Sequence, residues 1–221
     1  MYHKQKNPTL PAPDRAGDRG GFRRGAGGVI IYEKNMTQKT LILKGEAVVY
    51  IDWANVHGWE GSLKCKIDIA HLFAYLKTYP QTQDIRLYFG KDIHPKSVAF
   101  LQRAQEIGYT VTSKDVKYIL EAEISGRKVY RRKCDFDMEI CIDVHEALAE
   151  NIRAFVFFTG DGDFAPLYKK LIHLHKQVIV IYSPGHLGRE IWDIKKGVFK
   201  IQLKNLFDRE KSSPRLLEGR D

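Results

Sequence analysis

The chain contains 221 residues, of which 43% are hydrophobic and 29% charged, as in an average globular domain. This composition excludes a disordered chain, a collagen and a disulfide scaffold, and no apolar run approaches the roughly 18 residues of a membrane-spanning helix. The formal net charge of +9 favours a polyanionic partner, chiefly nucleic acid or an anionic membrane surface.

The two ends of the chain differ in composition from its middle. Residues 1–40 are rich in Gly and Arg, and their basic side chains outnumber the acidic ones. We expect a disordered basic tail over 1–40, a folded domain over 41–204 and a C-terminal tail over 205–221. Met36 stands just before the first periodic segment, and we hypothesise that translation begins there.

The three cysteines lack CxxC spacing and predict free thiols in a reducing compartment. The N-terminus has no apolar stretch that could serve as a signal peptide, so we expect a cytoplasmic protein with no membrane partner. Cys141 and His145 have the helical spacing of a zinc-ligand pair, but no second pair accompanies them, so a buried structural thiol is the better interpretation. His57 and His186 fall near predicted strand-end loops, where they could contact substrate.

Apolar runs and amphipathic segments alternate along the middle of the chain. In chain order they predict a strand over 46–52, a helix over 65–79, a strand over 84–90, a helix over 94–108 and a strand over 109–113. Residues 114–133 alternate, turn at Ser125-Gly126 and alternate again, which is typical of a β-hairpin. The remaining segments predict a helix over 135–150, a strand over 154–159, a helix over 165–176, a strand over 177–183 and a helix over 186–197. This order favours right-handed crossovers and a mostly parallel sheet of five strands, covered on both faces, with the hairpin inserted.

Acidic residues follow two of the predicted strands. The first strand ends in Asp52, with Asn55 three residues later, and the fourth opens into a turn that contains Asp161 and Asp163. Open parallel sheets place their sites beyond the carboxyl ends of strands, where the strand order reverses. If these two strands are neighbours, Asp52 and Asp161 lie close together, and the helix that begins near Asp137 can supply a further carboxylate from the same rim.

Carboxylates that meet at one point repel each other unless a cation lies between them. Oxygen ligands without nearby Cys or His favour Mg²⁺ or Mn²⁺, and such a site can activate water and stabilise charge on a phosphodiester. Gly160 and Gly162 would let the backbone approach a ligand closely and take a positive φ. The predicted ligands are Asp52, Asp137, Asp161 and Asp163.

Structural interpretations of these acids stand beside the functional one. Asp163 could cap the helix that follows it, and Asp137 could complement a helix dipole. Asp52 is harder to explain as a cap, because we expect no helix to start directly after it. Asp143 is interpreted as a solvated helix residue.

The predicted hairpin carries five cations within the seven residues 127–133. Such cations position a nucleic acid through its phosphates, and an aromatic ring between them can stack a base. The alternative is an edge ribbon that is charged to prevent aggregation. We favour binding, because Tyr118 and Tyr130 accompany the charge and the arm leads into Asp137. The predicted contacts are Lys128, Tyr130, Arg131, Arg132 and Lys133.

Several of these motifs together resemble the NYN domain, the LabA-like branch of the PIN-like nucleases. They are Asp52-x-x-Asn55, Lys133 leading into DFDMEICIDV, and FFTGDGDFAPLYKKL followed by QVIVIYS. TGDGDFAPL is similar to the family's Ser-Gly-Asp-x-Asp-Phe-x-Pro-Leu signature, and the resemblance covers about residues 45–203. It implies a three-layer α/β/α fold whose acidic pocket binds one or two Mg²⁺ or Mn²⁺ ions and cleaves RNA.

The resemblance assigns residues 52, 137, 161 and 163 to the acidic pocket, with Asn55 orienting a ligand or water. Trp53 stands where a small residue is more usual, and Thr159 replaces the usual Ser. Lys133 lies one residue further from Asp137 than the pattern expects, which leaves Asp135 as a rival ligand. The segment around Asp193 departs most, so no role is carried onto it.

Three other functions compete with a nuclease. A haloacid-dehalogenase-type phosphatase needs a second Asp at position 54, which is Ala, and a dinucleotide-binding fold needs a Gly-rich first turn. The serious rival is an RNA-binding or adaptor module that keeps the fold and binds without cutting. Because all four acids are present, we expect a metal-dependent ribonuclease acting on single-stranded RNA; a homo-oligomer stays open.

Overall fold

The computed structural model describes residues 41–124 and 126–207. The predicted basic tail over 1–40, including the hypothesised start, lies outside the described residues, as do most of the predicted C-terminal tail and Ser125 of the predicted turn. The division into a folded domain between two tails therefore stays a prediction.

Strands and helices alternate along most of the described chain. The strands are β1 (Ala47–Asp52), β2 (Thr82–Lys91), β3 (Thr110–Asp115), β4 (Lys117–Ile124), β5 (Arg127–Lys133), β6 (Ala154–Phe158), β7 (Gln177–Tyr182) and β8 (Val198–Gln202). The helices are α1 (Trp53–Gly58), α2 (Glu60–Leu63), α3 (Ile69–Lys77), α4 (Pro95–Ile107), α5 (Asp137–Ala149), α6 (Ala165–His173), α7 (Arg189–Trp192) and α8 (Lys204–Phe207), and a 3₁₀ turn spans Gly162–Phe164. Among these helices, not one combines the length and the hydrophobicity that a membrane span requires.

The central sheet has six strands in the order β3-β2-β1-β6-β7-β8, and all its pairings are parallel. The prediction of a mostly parallel α/β sheet is confirmed, but the predicted number of five strands is wrong. The chain adds strands outward from β1 in one direction and, after the hairpin, from β6 in the other. The strand order therefore reverses between β1 and β6, and the carboxyl ends of these two strands border the crevice where open sheets bind ligands.

The sixth strand, β8, begins directly after the predicted helix over 186–197, of which only α7 is helical, and the sequence pattern predicts no strand there. Gly197 takes a positive φ of 89° and leads into β8, which pairs with β7 from Val178↔Val198 to Tyr182↔Gln202. Edge strands bury little, and Phe199 is 48% exposed. The segment consequently lacks the apolar run that marks the central strands β1, β6 and β7.

Two apolar clusters cover the opposite faces of the sheet, which makes the fold a three-layer α/β/α sandwich. Val49 and Ile51 of β1 point into a cluster with α1, α3 and α4, whereas Val48 and Tyr50 point into one with α5 and α6. All six residues of β1 are buried, as expected for a central parallel strand.

The predicted hairpin is present as an antiparallel pair, β4 and β5, which forms a separate two-stranded sheet. Its ladder runs from Lys117↔Lys133 to Ile124↔Arg127 with a bulge between Leu120 and Ala122. Every residue of β5 is exposed. The hairpin therefore projects from the body of the domain instead of joining the central sheet.

Candidate functional site

Asp52 ends β1 and directly begins α1 as its N-cap. Its Oδ1 accepts hydrogen bonds from the backbone N–H groups of Ala54 (3.0 Å) and Asn55 (3.4 Å). The expectation that no helix starts here is wrong, because α1 begins at Trp53. The first turn of α1 contains no acidic residue, so the sequence lacks a common indicator of a helix start at this position. Asp52 is only 9% exposed, and burial raises the pKa of its carboxyl against the lowering effect of these hydrogen bonds.

Asn55 holds the other oxygen of that carboxylate. Its Nδ2 donates to Oδ2 of Asp52 over 2.7 Å. Both carboxylate oxygens therefore have fixed positions at the end of β1. The predicted role of Asn55 in orienting a ligand or water stays a prediction.

The second acidic segment follows β6, the neighbour of β1. Ile51 of β1 pairs with Phe158 of β6, so the two segments that follow these strands leave the sheet side by side. Asp161 caps the 3₁₀ turn, its Oδ1 accepting from the backbone N–H of Asp163 over 3.0 Å. The suggestion that Asp163 caps the next helix is wrong: α6 follows Phe164 and has no side-chain cap.

Packing, and not backbone conformation, requires glycine at position 160, whereas at position 162 an added methyl group meets the flexible end of a side chain. Neither has a positive φ, so that expectation is wrong. A methyl group on Gly160 would overlap the carbonyl oxygen of His186, and one on Gly162 would overlap the carboxylate of Glu190. The backbone N–H of Gly188 donates to the Gly160 carbonyl over 2.7 Å, which ties the two loops together.

Asp137 is the first residue of α5 and is partly buried. Burial raises the pKa of its carboxyl, and the charges of four other acids raise it further, in order of effect Asp161, Asp135, Asp52 and Asp163. Residues from β1, from the turn after β6 and from α5 therefore lie within electrostatic range of one another. We call Asp52, Asp137, Asp161 and Asp163 the rim carboxylates.

Within residues 41–124 and 126–207, no Lys or Arg forms an ion pair with a rim carboxylate. Other acids of the described chain are neutralised instead. The pairs are Lys133–Asp135 (3.0 Å), Lys114–Glu139 (2.6 Å), Arg86–Asp143 (3.3 Å) and Arg132–Asp92 (2.9 Å). The rim carboxylates are thus a concentration of negative charge that the described part of the protein leaves uncompensated.

Asp143 is not a solvated helix residue, contrary to expectation. Tyr88 donates a short hydrogen bond to its Oδ2, and Arg86 pairs with its Oδ1. Both partners belong to β2, distant in sequence, so the helix pattern alone could not indicate the contact.

Tyr168 is a residue near the rim that the sequence did not single out. It is fully buried, and its hydroxyl has no hydrogen-bond partner among the described residues. Burial raises its pKa, and the charges of Asp161 and Asp52 raise it further. Because Tyr168 lies on the periodic apolar face of α6, the sequence pattern does not distinguish it from an ordinary core residue.

The described residues contain no group of three His, Cys, Asp or Glu side chains drawn close enough to form a ready-made metal centre. This also applies to Cys141 and His145. Mutual repulsion of unscreened carboxylates favours such an open arrangement. The donor set is nevertheless all oxygen, which suits Mg²⁺ and Mn²⁺.

The predicted nucleic-acid contacts on β5 differ in how firmly they are held. Arg132 pairs with Asp92, which also accepts hydrogen bonds from the hydroxyl of Tyr118, so these contacts fix the hairpin to the loop after β2. Among the described residues, Arg131 forms one loose pair, with Glu121 at 3.7 Å, between two side chains that are each more than half exposed. Tyr130 is 51% exposed.

The sequence and the fold are both similar to those of known proteins. The sequence profile of the NYN domain matches residues 46–195. The chain is 25% identical over 145 residues to the "Low amplitude and bright protein LabA" of Synechococcus elongatus, which covers 65% of this chain and 76% of that protein. A crystal structure of a protein of unknown function from Vibrio parahaemolyticus has the same fold, with a TM-score of 0.55, 22% identity, and coverage of 74% of this chain and 96% of that one.

Proposed function

The chain belongs to the NYN domain family, within the PIN-like nuclease superfamily, and on that premise we propose that it is a cytoplasmic, metal-dependent ribonuclease acting on single-stranded RNA. One observation carries the proposal: the rim carboxylates lie where the strand order reverses, and within 41–124 and 126–207 no cation compensates them. Uncompensated acids at this position are costly to the fold, which favours a role in binding a cation.

The rim carboxylates fit a divalent cation by their chemistry. We assign Asp52 and Asp161 as the principal ligands, with Asp137 and Asp163 completing the site directly or through water. A bound Mg²⁺ or Mn²⁺ would lower the pKa of a water molecule and neutralise charge on the phosphate. The hydroxyl of Tyr168, which has no hydrogen-bond partner in the described part of the chain and is buried near Asp161 and Asp52, offers a further polar group to the water of such a site.

The contribution of the chain is to hold these groups in place. Ala54 and Asn55 fix both oxygens of Asp52, and the 3₁₀ turn fixes Asp161. Because the pKa values of Asp52 and Asp137 are raised, binding of a cation competes with a proton at these two carboxyls. Affinity for the metal is therefore expected to rise with pH.

The test of this proposal is cleavage of an end-labelled single-stranded RNA by the purified protein. We expect cleavage with Mn²⁺, complete loss on addition of EDTA, and recovery when Mn²⁺ is restored in excess, because the rim carboxylates alone provide no counter-charge for a phosphate. Product size on a denaturing gel provides the measurement. Cleavage that persists in EDTA would contradict the assignment.

The second candidate is an RNA-binding module that does not cut. The open arrangement of the described carboxylates favours it, since three of them do not converge in this structure. Under this alternative the protein shifts RNA in a gel and leaves it intact at every Mn²⁺ concentration. The cleavage assay therefore separates the two.

We also propose that the hairpin binds the RNA backbone. Replacing Arg131 and Arg132 by Ala should weaken binding and reduce the slope of log K against log salt by about 0.7, because one phosphate contact to a single strand contributes about 0.7 and Arg132 is already paired with Asp92. The bonds between Tyr118 and Asp92 remain to hold the hairpin. The measurement is fluorescence anisotropy in EDTA at several salt concentrations.

The matched control is Arg103→Ala, which removes another exposed arginine paired with a carboxylate, Asp68, at 3.2 Å. It should leave the salt slope unchanged. Equal slopes for the double variant and the control would identify the hairpin as a charged edge ribbon.

A further inference from the structure

A groove of about 550 Å³ lies between the start of α1 and the end of β5. One wall contains Trp53, Ala54 and His57, and the other is the segment 131–135. Phe89 and Gly90, near the end of β2, lie between them. The volume falls within the range of small-molecule binding sites, and the groove is open to solvent.

The groove borders the rim carboxylates on the side of β2. Ala54 lines the groove, and its backbone N–H donates a hydrogen bond to Oδ1 of Asp52. Asp135, also in its lining, raises the pKa of Asp137. A ligand in the groove would therefore extend directly away from the proposed cleavage site.

An array of aromatic rings forms one side of the groove. Phe89 packs on Phe100 at 4.6 Å between ring centroids, and Phe100 packs on Trp53 at 4.9 Å. The His57 ring lies parallel to Trp53, at 6.4 Å and an angle of 6°. The His57 side chain is 67% exposed, so the array ends in a flat ring that faces solvent.

The opposite wall carries three successive cations, Arg131, Arg132 and Lys133, against a single carboxylate of the lining, Asp135. Arg132 is committed to Asp92, but Arg131 has, within 41–124 and 126–207, just its loose pair with Glu121. Lys133 and Asp135 are each more than half exposed, and such pairs are weak in water. Arg131 and Lys133 can therefore exchange their partners for phosphate.

We propose that this groove binds one nucleotide of a single-stranded RNA, next to the phosphate that is cut. The base stacks on the ring of His57, which Trp53 backs, and the phosphate of the same nucleotide contacts Arg131 and Lys133. Stacking on a ring accepts any base, so the groove contributes affinity without sequence preference. The position of the cut relative to this nucleotide rests on the proposed ribonuclease function, whereas binding in the groove does not.

The test measures binding in EDTA, where no metal-dependent cleavage can occur. A fluorescein-labelled single-stranded RNA is titrated with the protein, with His57→Ala, and with the control His145→Ala, which removes an exposed histidine from α5. We expect His57→Ala to weaken binding about tenfold, the effect of losing one stacked base, and the control to match the wild type. An abasic ribose-phosphate oligomer should bind both proteins equally.

A second readout uses the cysteines. Cys134 lines the groove, whereas Cys65 is exposed elsewhere, so RNA should slow alkylation of Cys134 and leave that of Cys65 unchanged. Equal affinity of His57→Ala and wild type for base-containing RNA, or unchanged alkylation of Cys134, would overturn the proposal. If His57→Ala weakens binding and RNA slows alkylation of Cys134, but the RNA is never cut, the proposed groove is supported and the proposed ribonuclease activity is refuted.

Discussion

Asp52→Asn is expected to abolish metal-dependent RNA cleavage, with a loss of at least about 100-fold, while the protein stays folded. Asn removes the charge that a cation requires. It remains a good N-cap, so it keeps the bond from Ala54 that starts α1. The amide of Asn55 can turn to present its oxygen to the new side chain.

The same substitution should make the metal-free protein no less stable than the wild type at neutral pH. Burial raises the folded-state pKa of Asp52 above its unfolded value. An acid shifted in this direction lowers stability as pH rises from the unfolded pKa through the folded one, because the unfolded chain releases its proton first. Asn imitates the protonated form, and urea unfolding with and without Mn²⁺ measures the difference.

The control for this variant is Asp68→Asn. Asp68 caps α3 as Asp52 caps α1, accepting from the backbone N–H groups of Ala70 (2.8 Å) and His71 (3.0 Å), but it is exposed and carries no proposed role in catalysis. It should cleave RNA at the wild-type rate. Unchanged cleavage by Asp52→Asn, with protein of equal purity, would remove Asp52 from the site.

Gly160→Ala is expected to lower the free energy of unfolding by about 3 kcal/mol, at the upper end of the range for overpacking. The added methyl group would overlap the carbonyl oxygen of His186, which is backbone and cannot swing aside. The bond from Gly188 to the Gly160 carbonyl further prevents the loops from separating. The midpoint and slope of urea unfolding give the change.

Gly61→Ala is the matched control, because Gly61 lies in α2 and a methyl group there meets no described atom within 4 Å beyond its chain neighbours and the backbone of its own helix. It should be neutral or stabilise the protein by up to about 1 kcal/mol, since Ala is the better helix former. If Gly160→Ala were as stable as this control, the close packing of the two loops would be wrong.

Features that depend on local pattern could be predicted from the sequence. The buried apolar runs predict β1 and β6, and the acids Asp52 and Asp161 stand at or shortly after their ends in the sequence. Because right-handed crossovers make neighbouring strands parallel, both strand ends are expected at the same rim of the sheet. The alternation and the central turn of residues 114–133 likewise predicted the hairpin.

Features that depend on distant partners could not be predicted. Asp143 looks solvated until β2 brings Arg86 and Tyr88 against it. The need for glycine at position 160 comes from a loop some 26 residues further along the chain, and not from its own φ. β8 is an edge strand with little buried surface, so its sequence lacks the continuous apolar run that predicts the central strands.

Two of the rim carboxylates serve the fold as well as the proposed chemistry. Asp52 caps α1 and Asp161 caps the 3₁₀ turn, so each uses one oxygen to hold a chain segment that has just left the sheet. This explains how the acids are fixed before any cation binds. It also explains why their structural and functional interpretations do not exclude each other.

Calorimetric titration of Mn²⁺ into the metal-free protein at neutral pH tests most directly whether the rim carboxylates hold a divalent cation. Saturable binding by the wild type and Asp68→Asn, together with its loss in Asp52→Asn, is the predicted result. Absence of binding in the wild type, or equal binding by Asp52→Asn, would contradict a metal-dependent nuclease at this rim.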